Sequence, residues 1–149
     1  MIFSSQNIMK SLSKLLQERY PAYPVYTILN RQEMTYPCFI LSLISSTLEN
    51  QIGNRLFCNL CMEIVFVQQH GSASGEEEIT DIIDCLDEVL ELIPYSDGES
   101  TALIRSYERQ WRIENEELHY QFHIKNRMSL VEKENLMKEL EGNNASIKQ

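Results

Sequence analysis

The chain has 149 residues, of which 43% are hydrophobic and 23% are charged, as in an ordinary soluble globular protein. This length suits one domain with a substantial core and is too short for two. No apolar run approaches the roughly 20 residues that cross a bilayer, the N-terminus lacks the pattern of a secretory signal, and the four cysteines favour reduced thiols in a cytosolic setting.

The net charge of −9 comes from the middle of the chain. No Lys or Arg occurs between Leu56 and Ile104, yet that stretch holds half of the 22 acidic residues. A general phosphate-binding surface needs clustered Lys and Arg, so we expect no sequence-specific binding of nucleic acid. The acidic stretch is either a solvated helix face or a patch that meets a basic partner or repels a polyanion.

The first elements are a helix and a short strand. Residues 5–20 have the apolar spacing of an amphipathic helix, which Ser4 or Ser5 can cap and Pro21 ends. Its predicted buried positions are Ile8, Leu12, Leu15 and Leu16, with Met9 at the edge. Residues 25–29 form a short strand.

Two longer strands follow. Residues 38–45 are apolar on both faces, which is typical of a central strand. Gly53 and Asn54 mark a turn before an alternating run from Arg55 to Gln68. On one face of that run lie Leu56, Cys58, Leu60, Met62, Ile64 and Phe66; on the other lie Phe57, Asn59, Cys61, Glu63, Val65 and Val67.

A second helix opens at residues 70–75, where Ser74 and Glu77 form a capping box. The apolar positions Ile79, Ile82, Ile83, Leu86, Val89, Leu90 and Ile93 repeat at helical spacing, and we expect Pro94 to end the helix. Its acidic face consists of Glu76, Glu77, Glu78, Asp81, Asp84, Asp87 and Glu88.

Two more strands, about 101–113 and 117–127, meet across Glu114-Asn115-Glu116. The second alternates, with Leu118, Tyr120, Phe122 and Ile124 inward and His119, Gln121, His123 and Lys125 outward. We expect Trp111 and Ile113 to lie over the inner face. A short helix from Ser129 to Gly142 then carries a loose apolar stripe of Leu130, Leu136, Met137 and Leu140.

These elements predict an α+β fold: a largely antiparallel sheet of about five strands, two amphipathic helices on one face, and a short C-terminal helix. Residues 1–128 form the single domain, and residues 129–149 form the C-terminal helix and a frayed tail.

Two motifs resemble metal or redox sites. Cys58 and Cys61 have the C-x-x-C spacing, but residues three apart on a strand point to opposite faces, so we interpret them as small buried residues. His119 and His123 would lie roughly 13 Å apart on a strand, too far for a shared ion, and we expect them to be exposed. We predict no catalytic site, no cofactor and no metal.

The blocks 36-YPCFILSL-43, 49-ENQIGNR-55 and 57-FCNLCMEIVFV-67 resemble the phage tail terminator proteins of Gram-positive phages and phage-tail-like bacteriocins. The hairpin 113-IENEELHYQFHIKNR-127 resembles that family's acidic turn and aromatic-rich strand. The resemblance covers residues 5–127.

The resemblance implies a structural role rather than an enzymatic one. Tail terminators form a ring, usually a hexamer, that ends the tail tube and offers a surface to the neck, the head connector or a cap; a contractile sheath is a further partner. The resemblance implies assembly in the bacterial host cytoplasm and a place at the head-proximal end of the tail.

We expect Asn54 and Arg55 to contact the adjacent subunit or tube, or else only to shape their turn. Residues 129–142, with Leu130, Leu136, Met137 and Leu140, are expected to dock on a neighbour. A small cytosolic adaptor that adds a peptide to a sheet edge is the alternative function, and an enzyme of unknown type is a third.

Overall fold

The computed structural model describes residues 3–27, 33–53, 55–69 and 75–129, with side chains through Asn126. In this part of the chain the elements are α1 (Ser5–Arg19), β1 (Val25–Tyr26), β2 (Cys38–Gln51), β3 (Arg55–Val67), α2 (Gly75–Val89), β4 (Leu92–Ser96), β5 (Thr101–Glu114) and β6 (Glu117–Ser129).

The strands form one sheet in the order β1-β2-β3-β6-β5-β4. β1 runs parallel to β2, with Val25 opposite Phe39, whereas the other neighbours are antiparallel. The α+β class is confirmed, and the sheet is largely antiparallel as predicted, but it has six strands rather than about five and is mixed because β1 is parallel to β2. Ser129 ends β6 rather than beginning a helix, and the rest of the predicted C-terminal helix lies outside the described residues.

Helix α1 forms where the apolar spacing predicted it. The Ser4 hydroxyl accepts a hydrogen bond of 3.1 Å from the backbone N–H of Asn7, which satisfies one of the free donors in the first turn. Ile8, Leu12 and Leu16 are buried on one face, as predicted. Burial of this stripe attaches α1 to the sheet.

Helix α2 is shorter than predicted. It ends at Val89, and Leu90 lies in a turn. Ile93 and Pro94 belong to β4, so the prediction that the helix ran to Pro94 was wrong. In β4, Ile93 and Tyr95 point inward and Pro94 points outward. Since β4 is the last strand of the sheet, a residue without an N–H is tolerated there.

Both helices pack on the same face of the sheet, as predicted; we call this the inner face. It carries the main core, in which apolar side chains of α1 and α2 meet those of the strands. The strand contributions include Phe39, Leu41, Cys58, Leu60, Met62, Ile64, Phe66, Ile93, Tyr95, Leu118, Tyr120, Phe122 and Ile124. The opposite, outer face carries a second, small cluster of Met34, Cys38, Ile40, Val65 and Val67, which confirms that the start of β2 is apolar on both faces.

The pairing of strands is irregular at two positions in the sheet. Along β2 the pairing with β3 shifts between Leu43 and Ser45, so Ile44 is an extra residue. Along β5 the pairing with β6 shifts between Tyr107 and Gln110, and Glu108 within this bulge has a φ of 53°. Both bulges lie in strands that border free edges.

Candidate assembly interface

The C-x-x-C pair is divided between the two faces of β3, as predicted. Cys58 lies in the inner core, whereas Cys61 lies on the outer face and accepts a hydrogen bond of 3.0 Å from Nε2 of Gln121. All four cysteines are buried and reduced. In the described ranges, no group of three or more His, Cys, Asp or Glu residues is placed to hold a metal ion. The geometry of Cys58 and Cys61 therefore argues for packing.

The two histidines are not exposed, so that prediction was wrong. The side chains of His119 and His123 are 15% and 22% exposed, and each meets polar groups of its own on the outer face. His119 Nδ1 lies 3.3 Å from Oε1 of Glu63, and His123 Nδ1 lies 3.0 Å from Oδ1 of Asn59. Neighbouring strands supply these partners, which a linear pattern does not show.

The same outer face continues as a network of charged groups. Arg112 lies 3.6 Å from Glu63 and 3.1 Å from Glu114. Lys125 donates a hydrogen bond of 3.0 Å to Glu108, which lowers the pKa of that carboxyl below its ordinary value. The outer face is thus a polar surface with charges largely matched within the chain.

One edge of β2 is free along most of its length. β1 pairs with β2 at Phe39 and Ile40, and beyond Ile40 no described strand borders that edge. The free stretch carries three exposed apolar side chains: Leu43, Ile44 and Leu48, with exposed fractions of 39%, 52% and 58%. An exposed strand edge of this length is a template for pairing with another chain.

A second free edge lies on the other side of the sheet. β4 pairs with β5 from Thr101 to Arg105, and from Ser106 to Glu114 no described strand borders the outer edge of β5. Trp111 and Ile113 lie opposite Tyr120 and Leu118, on the predicted inner face. They are nevertheless half-exposed rather than buried, because the main core stops short of them.

The predicted contact residues at the hairpin tip are described in part. Arg55 is exposed and lies opposite Gln51, and the neighbouring Ile52 is 99% exposed. Asn54 lies outside the described residues, as do Leu130, Leu136, Met137 and Leu140. The hairpin of β2 and β3 therefore presents an apolar side chain and a cation at its end.

The seven carboxylates of the predicted acidic face lie along α2. Six of its seven carboxylates are exposed, namely Glu76, Glu77, Asp81, Asp84, Asp87 and Glu88, and Glu78 is half-buried. Glu78 accepts a hydrogen bond of 3.1 Å from the hydroxyl of Tyr23. No Lys or Arg of the described residues forms an ion pair with this face. The carboxylates of the helix are therefore not held in ion pairs within that part of the chain, although Arg19 lies near Glu88 and Arg109 bonds the Asp87 carbonyl.

A cleft of about 510 Å³ opens between the end of α1 and the start of α2. Its lining is Tyr20, Tyr23, Glu77, Glu78, Asp81 and Ile82. Burial raises the pKa of Tyr23 first, and the hydrogen bond to Glu78 raises it further. The raised pKa keeps the Tyr23 hydroxyl protonated, so its pairing with Glu78 does not make it an activated nucleophile.

No helix within the described ranges has the length and apolar character to cross a membrane.

Two strand edges that no described strand borders, each with exposed apolar side chains, are typical of proteins that assemble with others. A family model described as phage tail terminator protein matches residues 7–135. The chain therefore belongs to the phage tail terminator protein family, which is a structural family of the virion tail rather than a family of enzymes. No curated protein matches the chain.

Proposed function

We propose that this protein forms a ring, a hexamer as the family resemblance implies, that ends the tail tube and joins it to the neck, the connector or a cap. The observation that carries the proposal is the pair of free edges, one on β2 and one on β5, each with exposed apolar side chains. Two different edges on opposite sides of one subunit can pair head to tail, and such contacts close into a ring when the rotation between neighbouring subunits closes.

The hairpin tip and the acidic helix supply further contacts in this proposal. Arg55, together with Asn54, contacts the tail tube or the adjacent subunit through the end of the β2–β3 hairpin. The carboxylates of α2 meet a basic surface of a tail, sheath or neck component, or else keep the ring soluble. Leu130, Leu136, Met137 and Leu140 dock the C-terminal segment on a neighbour. The ring assembles in the cytoplasm of the bacterial host.

The alternative is a small adaptor that binds an extended peptide at a sheet edge. The free edge of β2 is the observation that favours it, because such an edge accepts any strand of suitable sequence. An adaptor stays a monomer or dimer without its peptide, whereas a terminator forms a ring alone or on tail tubes. The oligomeric state therefore separates the two functions.

The test is light scattering of the purified protein, alone and after incubation with tail tubes, combined with electron microscopy of the tube ends. We expect a mass of several times 17.4 kDa or rings on tube ends. The variant Leu48→Lys places a charge on the free edge of β2 and should abolish both. Leu103→Lys is the matched control, since Leu103 is 65% exposed on the part of β5 that β4 already borders. A wild-type protein that stays monomeric and leaves tube ends bare would overturn the ring.

A further inference from the structure

We infer that the subunits of the ring join edge to edge, with residues 47–51 at the end of β2 in one copy paired antiparallel to residues 110–114 at the end of β5 in the next. Leu48 then lies opposite Ile113, and Glu49 lies opposite Arg112 of the neighbouring copy. The inference rests on the proposed ring and specifies which surfaces form it. Strand direction, side-chain face and charge each support this pairing separately.

Strand direction favours this pairing. β2, β3, β6 and β5 are adjacent in this order and each pair is antiparallel, so β2 and β5 run in opposite directions. A second copy placed in the same orientation beside the first therefore brings an antiparallel neighbour to the edge of β2. Antiparallel pairing is the ladder that two such edges form directly, without a crossover connection.

The faces of the two strands also agree. Leu48 lies opposite Cys58 and shares the inner face with that core residue. Ile113 lies opposite Leu118, another residue of the inner core, and Trp111 lies opposite Tyr120. A sheet that continues from one copy to the next keeps its faces, so these half-exposed apolar side chains meet on the same side. Apolar pairs across neighbouring strands stabilise a sheet.

Charge selects the register between the two strands. With Leu48 opposite Ile113, the next residues bring Glu49 opposite Arg112 on the outer face. A slip of two residues puts Leu48 opposite Trp111 and Glu49 opposite Gln110, which removes the opposite-charge pair. Glu49 is exposed and forms no ion pair with any described residue, so its carboxylate is free to meet a cation. Arg112 remains 53% exposed beside its own Glu63 and Glu114.

The free stretches of β2 and β5 lie toward opposite ends of the sheet. On β2 the free stretch runs toward the hairpin tip, whereas on β5 it runs toward the turn at Asn115 and Glu116. Neighbouring copies are therefore displaced along the strand direction. Strands that are tilted and staggered in this way are what the closure of a sheet requires.

Cysteine pairs across the contact test the register. Leu48→Cys and Ile113→Cys are introduced into separate copies, both in a Cys58→Ser background because Leu48 lies opposite Cys58 in its own chain. The copies are mixed, assembled with tail tubes and oxidised. Opposite residues of antiparallel strands have Cβ atoms about 4.5–5.5 Å apart, so we expect a disulfide-linked dimer from the mixture and little from either variant alone. Leu48→Cys mixed with Leu103→Cys is the control. Assembly of the mixture without the linked dimer would overturn the edge contact and leave the ring standing.

A charge exchange tests the same contact without oxidation. Glu49→Arg and Arg112→Glu should each weaken subunit association by about fivefold, and the double variant should recover most of the loss. Far-ultraviolet circular dichroism checks that Arg112→Glu still folds, since that residue also meets Glu63 and Glu114. If the loss of association in the double variant equals the two single losses combined, the pairing of Glu49 with Arg112 is wrong. Failure of the wild-type protein to assemble in any condition would overturn the proposed function itself.

Discussion

The phenolic hydroxyl of Tyr120 in β6 donates a hydrogen bond of 2.5 Å to Oδ1 of Asp87 in α2. Arg109 of β5 donates a second bond, of 2.7 Å, to the backbone carbonyl of the same residue. Arg109 occupies the bulge of β5, and the last carbonyls of a helix lack partners within the helix. The bulge therefore places the guanidinium of Arg109 beside the C-terminal turn of α2. Hydrogen bonds from β5 and β6 both hold that turn against the sheet.

Replacement of Tyr120 by Phe should lower the free energy of unfolding by about 1–2 kcal/mol. The ring still fills the core, but the bond to a charged acceptor is lost, and Asp87 is exposed enough to regain water. Urea unfolding followed by circular dichroism measures the change. Tyr107→Phe is the control, because the hydroxyl of Tyr107 has no described hydrogen bond and its ring is 40% exposed. Equal effects of the two variants would contradict the prediction.

Alkaline pH should destabilise the protein through the same tyrosine. Burial first, and the hydrogen bond to Asp87 second, raise the pKa of Tyr120 above its ordinary value. Burial likewise raises the pKa of Tyr20. The unfolded chain ionises its tyrosines near pH 10, so the stability that these two neutral groups contribute is complete below that pH and decreases above it.

The measurement is the urea midpoint between about pH 8 and 11, where the unfolded tyrosines begin to ionise. We expect the wild-type midpoint to fall above pH 10 and the Tyr120→Phe midpoint to fall less steeply. Subtraction of the two curves removes the effect of other groups that titrate in this range. Parallel curves for the two proteins would show that ionisation of Tyr120 does not oppose folding.

Long periodic segments were predictable from sequence. The apolar residues of α1 recur at helical spacing and those of β3 and β6 alternate, so one buried face follows directly from each pattern. The same alternation separated Cys58 from Cys61. These predictions hold because a helix or strand that buries one face has apolar residues at regular spacing along its own sequence.

Other features depend on neighbours that the local pattern does not reveal. Ile93 fits the helical repeat of Leu86 and Leu90, and Pro94 is a common helix stop, so β4 was missed. Trp111 and Ile113 are large apolar residues of the kind that fill cores, yet both are half-exposed and neither packs against the main core. Two free edges become apparent only when the strand order is known. The candidate interface could therefore be recognised only in the structure, whereas most strands of the sheet could be predicted from the sequence.

Truncation of Leu12 should test how firmly α1 is attached to the sheet. The side chain of Leu12 is fully buried in the main core, so Leu12→Ala should cost about 2–5 kcal/mol in the free energy of unfolding. Leu15 only packs against that core from its edge, and Leu15→Ala should cost clearly less. Urea midpoints of the two variants provide the comparison. A larger loss for Leu15→Ala would mean that α1 buries a different face.

Thiol modification should distinguish buried cysteines from a metal or redox centre. All four thiols are buried, and burial raises the pKa of Cys58, which lowers the fraction of the reactive thiolate. We expect slow reaction with a disulfide reagent in the folded protein, rapid reaction of four thiols in urea, and a melting temperature that a chelator leaves unchanged. Thr47→Cys is the positive control, because this exposed position on β2 should react at once. Rapid modification of Cys58 and Cys61 in the folded protein, or a lower melting temperature after chelation, would contradict a continuous β3 with its sulfurs on opposite faces.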